Sequence, residues 1–194
     1  MLIGLMGKYG SGKTLIGKLF KELDSKIQVI DVDKIGHKSH TDERVKERIR
    51  RDIGNTVFND DGSINRKKLS DIVFNDEQKM KALCDATYWY MVQEIDKMLK
   101  EDNINILDYA LLPKTKYFEL CNIKILVEAD YASRSARVEA RDNISTEKYN
   151  QINSNSLDYS NLSFDYIITN NSDLTKLRKV VGEIYEKSIV SGKF

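Results

Sequence analysis

The feature that most constrains this chain is a short glycine-rich stretch near its start. The apolar run Leu2–Met6 is followed by Gly-Lys-Tyr-Gly-Ser-Gly-Lys-Thr at positions 7–14, which fits the pattern G-x-x-x-x-G-K-[ST]. An amphipathic run at positions 15–23 comes directly after it. A buried strand, a tight loop and a helix in this order predict a phosphate-binding loop within an α/β fold.

The loop residues have complementary tasks in binding a polyphosphate. Glycines let the backbone curl so that several N–H groups point inward, and the helix N-terminus adds its dipole. We expect Lys13 to reach the β and γ phosphates and the Thr14 hydroxyl to ligate Mg²⁺. A glycine-rich turn with an unrelated lysine is the alternative. The residues of this loop expected to contact the polyphosphate are Gly7, Lys8, Tyr9, Gly10, Ser11, Gly12, Lys13 and Thr14.

Composition argues against several classes of protein. The formal net charge is +1, so the chain lacks the overall positive field of a nucleic-acid binder. Cys84 and Cys121 are far apart in sequence and near no histidine pair, so neither a zinc site nor a disulfide framework is indicated. No apolar run reaches the ~18 residues of a membrane span. We therefore expect a cytoplasmic protein that binds neither nucleic acid nor membrane, with its oligomeric state open and a monomer plausible.

Five short apolar runs predict the strands of a parallel sheet, and helical patterns separate them. This alternation is typical of a doubly wound α/β sheet. Charged, helix-rich sequence fills the space between the second and third runs, far beyond what one crossover needs. We interpret the excess as an inserted helical subdomain that binds the second substrate. The predicted strands are Leu2–Met6, Ile27–Ile30, Ile104–Leu107, Ile123–Val127 and Tyr166–Ile168.

A second strand-free segment runs from Arg134 to Leu162. It begins as a helix on which Arg137 and Arg141 share a face, and it continues as an Asn/Ser-rich stretch with no evident anchor in a core. A lid that closes over phosphates is the interpretation we favour, and a solvated loop is the alternative. The predicted organisation is a nucleotide-binding core at 1–33, 101–136 and 163–194, the helical insert at 38–100, the lid at 137–162 and a final amphipathic helix at 173–187.

Carboxylates follow two of the predicted strands. Asp31 and Asp33 end the second one, at the sheet edge where open α/β sheets bind ligands. At least one of them is expected to take a proton from an attacking hydroxyl or to hold Mg²⁺ through water, although Asp33 could instead cap a helix beginning at Lys34. Asp108 ends the third strand and is expected to hold a Mg²⁺-bound water, with helix capping as the alternative.

Several of these segments together resemble the dephospho-CoA kinase family. The segment 31–37, Asp-Val-Asp-Lys-Ile-Gly-His, is similar to the family's D-A-D-x-I-A-H. Residues 58–69 with 72–74 resemble its inserted helical region, and 137–142 resembles the start of its lid. Residues 164–170, Phe-Asp-Tyr-Ile-Ile-Thr-Asn, resemble its A-D-Y-V-I-x-N strand. The correspondence extends over nearly the whole chain.

The resemblance implies a fold of the P-loop kinase type, a function and residue roles. Members transfer the ATP γ-phosphate to the 3′-hydroxyl of dephospho-CoA, which makes coenzyme A, with ATP and Mg²⁺ as the implied cofactors. Asp33 would be the base for that hydroxyl. Arg141, supported by Arg137, would close over the transferring phosphate, and Asn170 would lie near adenine. The implied catalytic residues are thus Lys13, Asp33 and Arg141.

Departures from the family pattern keep two other functions open. Thr87–Val92 lacks the histidine, proline and arginine of the family's T-H-P-x-I-R, and Lys8 stands where the family usually has glycine. These changes fall mainly on the acceptor side, which motivates a divergent small-molecule or nucleotide kinase with another hydroxyl acceptor. A non-catalytic nucleotide-binding regulatory module is the remaining alternative.

Overall fold

Five parallel strands form the centre of the structure, a computed structural model that describes residues 1–171 and 173–192. Their order across the sheet is β2-β3-β1-β4-β5, and each neighbouring pair runs parallel. The predicted α/β class with a five-stranded parallel sheet is confirmed. The strands are β1 (Leu2–Met6), β2 (Ile27–Asp31), β3 (Ile104–Asp108), β4 (Ile123–Glu128) and β5 (Tyr166–Thr169).

The described chain divides into two compact units. One contains residues 1–31 together with the chain from Lys100 onward, and the other is Val32–Leu99. The first unit holds the whole sheet, and the second is helical. The α-helices are α1 (Lys13–Leu23), α2 (Val32–Ser39), α3 (Glu43–Asp52), α4 (Arg66–Val73), α5 (Glu77–Met98), α6 (Tyr117–Leu120), α7 (Tyr131–Asp142), α8 (Thr146–Ser154) and α9 (Leu174–Ile184).

The core of the sheet unit explains why its strands are apolar runs. Parallel strands are covered on both faces, so successive side chains have no solvent side to face. Ile3, Leu5 and Ile125 are completely buried. Phe20 of α1 and Leu177 of α9 belong to the same cluster. Each such side chain contributes about 1.5–3 kcal/mol on burial.

Four of the five strands extend one residue beyond their predicted carboxyl ends. The additional residues are polar: Asp31, Asp108, Glu128 and Thr169. Asp31 of β2 lies opposite Asp108 of β3 in the strand register. The sheet therefore brings two of the predicted functional carboxylates together at the edge where the loop after β1 begins.

The helical unit is built around α5. This helix buries Ala86, Tyr90, Met91 and Ile95 and packs with α2, α3 and α4. The side chains of Asp42, Asn65 and Asp76 cap α3, α4 and α5, each by accepting hydrogen bonds from backbone N–H groups of the first turn. The helix-rich sequence between the second and third predicted strands thus forms helices, among them α3, α4 and α5. An acceptor-binding role for this unit stays a prediction.

The segment after β4 is more ordered than its composition indicated. The expectation that the polar stretch has no anchor in a core is wrong. Residues 146–154 form α8, and Tyr149 on it is completely buried, while Tyr159 beyond it is 7% exposed. Two isolated aromatic rings anchor a sequence that otherwise consists largely of polar residues. Its role as a lid stays a prediction.

The predicted C-terminal helix forms as α9, with Asp173 accepting the backbone N–H of Lys176 as its cap. It continues into a wider helical turn at Tyr185–Val190. Across residues 1–171 and 173–192, no helix has both the length and the apolar character needed to cross a bilayer.

Candidate phosphate-binding site

The loop between β1 and α1 has the backbone conformation that its glycines allow. Gly10 and Gly12 have φ of 82° and 97°, in the left-handed region that side chains disfavour. A Cβ on Gly10 would lie 2.7 Å from the carbonyl oxygen of Arg134, and one on Gly12 would collide with the Asn170 amide. The loop is therefore curled and closely packed, and α1 begins directly after it with no side chain capping its first turn.

Lys13 is placed within the loop. Its ammonium donates a hydrogen bond to the Gly7 carbonyl oxygen at 3.1 Å, so the side chain folds back across the loop. An anion held by the loop amides would lie within reach of this positive charge. The position suits the predicted contact with phosphates.

Thr14 and Asp108 meet at the sheet edge. The Thr14 hydroxyl donates to a carboxylate oxygen of Asp108 at 3.0 Å. Asp108 is 4% exposed, and Asp31 is its neighbour in the register of β2 and β3. A hydroxyl and a carboxylate are hard oxygen donors of the kind that Mg²⁺ prefers, so this pair fits the predicted metal site.

Asp33 lies in the helical unit, in the first turn of α2. The helix begins at Val32, so the alternative in which Asp33 caps a helix beginning at Lys34 is wrong. The physical reason is that β2 passes into α2 without a loop. The side chain of Asp33 is exposed.

Arg137 and Asn170 support the loop from the side of α7 and β5. One terminal nitrogen of Arg137 donates to the Asn170 carbonyl oxygen at 2.8 Å, and the other lies 3.5 Å from the Gly10 carbonyl oxygen. The Asn170 side chain is 3% exposed and donates to the Ser11 carbonyl oxygen at 2.8 Å. Asn170 therefore braces the loop, whatever its relation to adenine.

Arg141 reaches the same loop through a different contact. Its guanidinium lies 5.4 Å from the centre of the Tyr9 ring and forms two hydrogen bonds to the Asp142 carboxylate, at 2.8 and 2.7 Å. The Tyr9 hydroxyl donates to the same carboxylate. The hydrogen bonds from Arg141 and Tyr9 lower the pKa of Asp142 to about 2. An arginine predicted to bind phosphate is thus held beside the loop by a carboxylate.

Of the three arginines on α7, Arg134 is the one that faces inward. It is 7% exposed, and it donates to the Ala129 carbonyl oxygen, the Tyr149 hydroxyl and the Asn153 side chain at 3.1, 2.9 and 2.7 Å. These bonds join α7 to α8. Arg134 therefore has a structural role, which separates it from Arg137 and Arg141.

Tyr159 contacts the base of the loop, a contact that sequence reasoning missed. Its hydroxyl accepts the N–H of Gly7 at 3.3 Å and donates to the Ala110 carbonyl oxygen at 2.6 Å. Close by, the Ser11 hydroxyl is 1% exposed and has no hydrogen-bond partner among the described residues. Both residues line a cavity of about 360 Å³ beside β4 and β5. The sequence signal that could have indicated this role is the isolated position of Tyr159, an aromatic residue in a polar stretch.

The sheet order and the loop define the class of protein as a P-loop kinase. A solved structure titled TT1252 from Thermus thermophilus superposes with a TM-score of 0.77, at 22% identity and 95% coverage of both chains. A dephospho-CoA kinase from Campylobacter jejuni superposes at 0.60, with 21% identity and 95% coverage of both. These two likenesses concern the fold alone.

The family follows from the sequence comparisons. The family model described as dephospho-CoA kinase matches residues 1–176. A dephospho-CoA kinase from Aquifex aeolicus is 31% identical over 95% of this chain and 96% of its own length. The chain belongs to the dephospho-CoA kinase family and is an ATP-dependent kinase.

Proposed function

We propose that this protein transfers the γ-phosphoryl group of ATP to the 3′-hydroxyl of dephospho-CoA. The hydroxyl oxygen forms a bond to the γ-phosphorus, the bond from that phosphorus to the β,γ-bridging oxygen breaks, and ADP leaves. The observation that carries the proposal is the family match across residues 1–176, because it includes the helical unit as well as the phosphate loop.

The loop side of the chain is suited to holding ATP. The curled backbone and the start of α1 offer N–H groups to the phosphates, and Lys13 adds a positive charge beside them. Lys8 and Tyr9 contribute their backbone N–H groups to the same loop. In this proposal Arg137 and Asn170 form the wall nearest the nucleoside, since both contact the loop from β5 and α7.

Thr14 and Asp108 would hold Mg²⁺, Asp108 through a water molecule. The bound cation would offset the negative charge that builds up on the phosphate oxygens during transfer. The two side chains already lie at hydrogen-bonding distance, so little reorganisation is required of them. Asp31 is paired with Asp108 in the register of β2 and β3, so it is a second carboxylate at the carboxyl edge of the sheet.

The remaining roles concern proton transfer and charge. Asp33 would accept the proton of the attacking hydroxyl, because it is an exposed carboxylate at the start of α2. Arg141 would bind the transferring phosphate with its planar fork, a geometry that lysine lacks. We further propose a cytoplasmic location, which the two free cysteines, Cys84 and Cys121, favour.

A comparison of acceptors tests this function. Purified protein is supplied with ATP and Mg²⁺, and ADP release is followed with dephospho-CoA, with nucleosides and other small hydroxyl compounds, and with no acceptor. We expect release to require dephospho-CoA. A stronger response to another acceptor would favour the divergent kinase that the changes at Thr87–Val92 motivate, and binding of ATP without release in any mixture would favour a regulatory module.

A further inference from the structure

Tyr9, in the phosphate loop, has contacts at its ring and at its hydroxyl. Its ring is stacked with that of Tyr149, with centres 6.4 Å apart and an angle of 27° between planes. The Arg141 guanidinium lies 5.4 Å from the ring centre, and the hydroxyl donates to Asp142. The side chain of Tyr9 therefore links the loop to the end of α7 and to α8.

Tyr149, on which the Tyr9 ring packs, is held firmly in place. It is completely buried, and its hydroxyl accepts a hydrogen bond from the buried Arg134 at 2.9 Å. Arg134 is in turn held by the Ala129 carbonyl oxygen. Tyr9 thus packs on a part of the segment that is tied to the sheet unit, whereas Arg141 is in the last turn of α7.

Arg141 depends on its neighbours for its position. Its side chain is 62% exposed, and it donates two hydrogen bonds to Asp142, the adjacent residue. A long exposed arginine loses rotamer entropy when it is fixed in one orientation. The Tyr9 ring and the Tyr9–Asp142 hydrogen bond limit the orientations of both members of the Arg141–Asp142 pair before any nucleotide binds.

We propose that the Tyr9 side chain is a positioning residue that holds the Arg141–Asp142 pair beside the loop, so that Arg141 can exchange the Asp142 carboxylate for a phosphate oxygen. The proposal rests on the assignment of Arg141 to phosphate in the proposed function. Two oxygens of a phosphate group can accept two parallel N–H bonds from one guanidinium, as a carboxylate does, so both hydrogen bonds of Arg141 can be kept in the exchange. Tyr9 keeps its hydrogen bond to Asp142, which stabilises the carboxylate that Arg141 leaves.

The experiment is a double-mutant cycle of Tyr9→Leu and Arg141→Lys, with kcat and the KM for ATP measured for each variant. We expect Tyr9→Leu to lower kcat about tenfold, with a smaller change in KM, since the loop amides and Lys13 remain. In the Arg141→Lys background, Tyr9→Leu should have almost no further effect, because two residues that act through one contact are not additive. Additive losses, or an unchanged kcat in Tyr9→Leu, would overturn the proposal.

Two further variants separate positioning from folding. Tyr9→Phe keeps the ring and loses the hydrogen bond to Asp142, so its kcat should lie between those of Tyr9→Leu and wild type. Tyr131→Leu is the matched control, because the Tyr131 ring also packs on Tyr149, with centres 5.5 Å apart. It should leave kcat unchanged; a loss equal to that of Tyr9→Leu would show that packing on Tyr149 alone matters.

The cycle also distinguishes this inference from the function on which it rests. If wild-type protein does not phosphorylate dephospho-CoA, the proposed function fails. If wild type is active and Arg141→Lys has no effect, the assignment of Arg141 to phosphate fails, and the proposal with it. If Arg141→Lys slows the reaction and Tyr9→Leu adds its own independent loss, only the link through Tyr9 is refuted.

Discussion

The Thr14 hydroxyl donates a 3.0 Å hydrogen bond to the Asp108 carboxylate, which joins the first turn of α1 to the end of β3. The bond places a hydroxyl and a carboxylate at the edge where the phosphate loop begins. Because Asp108 is 4% exposed, its charge is poorly solvated there and gains from a nearby cation. The Mg²⁺ site that we propose depends on this pair.

Asp108→Asn tests the pair. Asparagine can still accept the Thr14 hydrogen bond, but it removes the negative charge. We expect the Mg²⁺ concentration for half-maximal rate to rise about tenfold or more, equivalent to ~1.4 kcal/mol or more. A titration of ADP release against Mg²⁺ measures this. An unchanged Mg²⁺ requirement would place the metal elsewhere. Asp102→Asn, which removes an exposed carboxylate just before β3, serves as the control for charge.

Lys13→Ala tests the phosphate loop. The variant loses one hydrogen bond to the Gly7 carbonyl, worth about 1 kcal/mol, so the fold should persist. Turnover should be abolished and ATP binding weakened, because the charge nearest the β and γ phosphates is gone. Lys18→Ala is the control, since Lys18 is an exposed lysine on the same helix. ADP formation at the wild-type rate in Lys13→Ala would refute the assignment of the loop.

Asp33→Asn tests the proposed base. The substitution preserves size and removes the proton acceptor, so kcat should fall by about 10²–10⁴ with ATP affinity nearly unchanged. Steady-state kinetics and equilibrium ATP binding measure the two quantities. Asp71→Asn, an exposed helical aspartate of the same unit, should retain full activity. A normal rate in Asp33→Asn would assign the base to another residue.

The Arg141–Asp142 pair predicts a dependence of stability on pH. The pKa of Asp142 is lowered from 3.8 to about 2, mainly by its hydrogen bond to Arg141. Because the pKa of Asp142 is lower in the folded protein than in the unfolded chain, ionised Asp142 stabilises the folded state. This stabilisation is complete above pH 3.8 and is lost as pH falls toward 2. The free energy of unfolding of wild type should therefore exceed that of Asp142→Asn by a constant amount from pH 5 to 7, and this difference should shrink below pH 4. Urea unfolding at each pH measures the difference. A difference that grows on acidification would contradict the assignment.

The sequence predicted the sheet accurately because buried parallel strands are short apolar runs, a pattern that burial itself imposes. It also located the loop and the carboxylates at the strand ends, since Thr14 and Asp108 occur in recognisable contexts. Helix-rich sequence between β2 and β3 led us to predict an insert at 38–100 and to place Asp33 in the core, whereas the structure divides the chain after Asp31. The substrate-binding role of that insert stays a prediction.

The contacts of the segment after β4 were not predictable in the same way. Tyr149 and Tyr159 are single aromatic residues in polar surroundings, so neither helical nor strand periodicity revealed that they are buried. Adjacent residues on a helix do not normally face each other, so the pairing of Arg141 with Asp142 in the last turn of α7 had no sequence signal. The contact between Tyr9 and these residues depends on the tertiary fold alone.

The central claim is that the chain phosphorylates one particular hydroxyl of one acceptor. The most direct measurement is a competition in which dephospho-CoA and other hydroxyl acceptors are mixed at equal concentration with ATP, Mg²⁺ and the protein, and the products are assigned by mass spectrometry and ³¹P NMR. We predict a single new phosphomonoester, on the 3′-hydroxyl of dephospho-CoA, formed in equal amount to ADP. Phosphate on a different acceptor, or ADP formed with free phosphate while dephospho-CoA stays unmodified, would contradict the account.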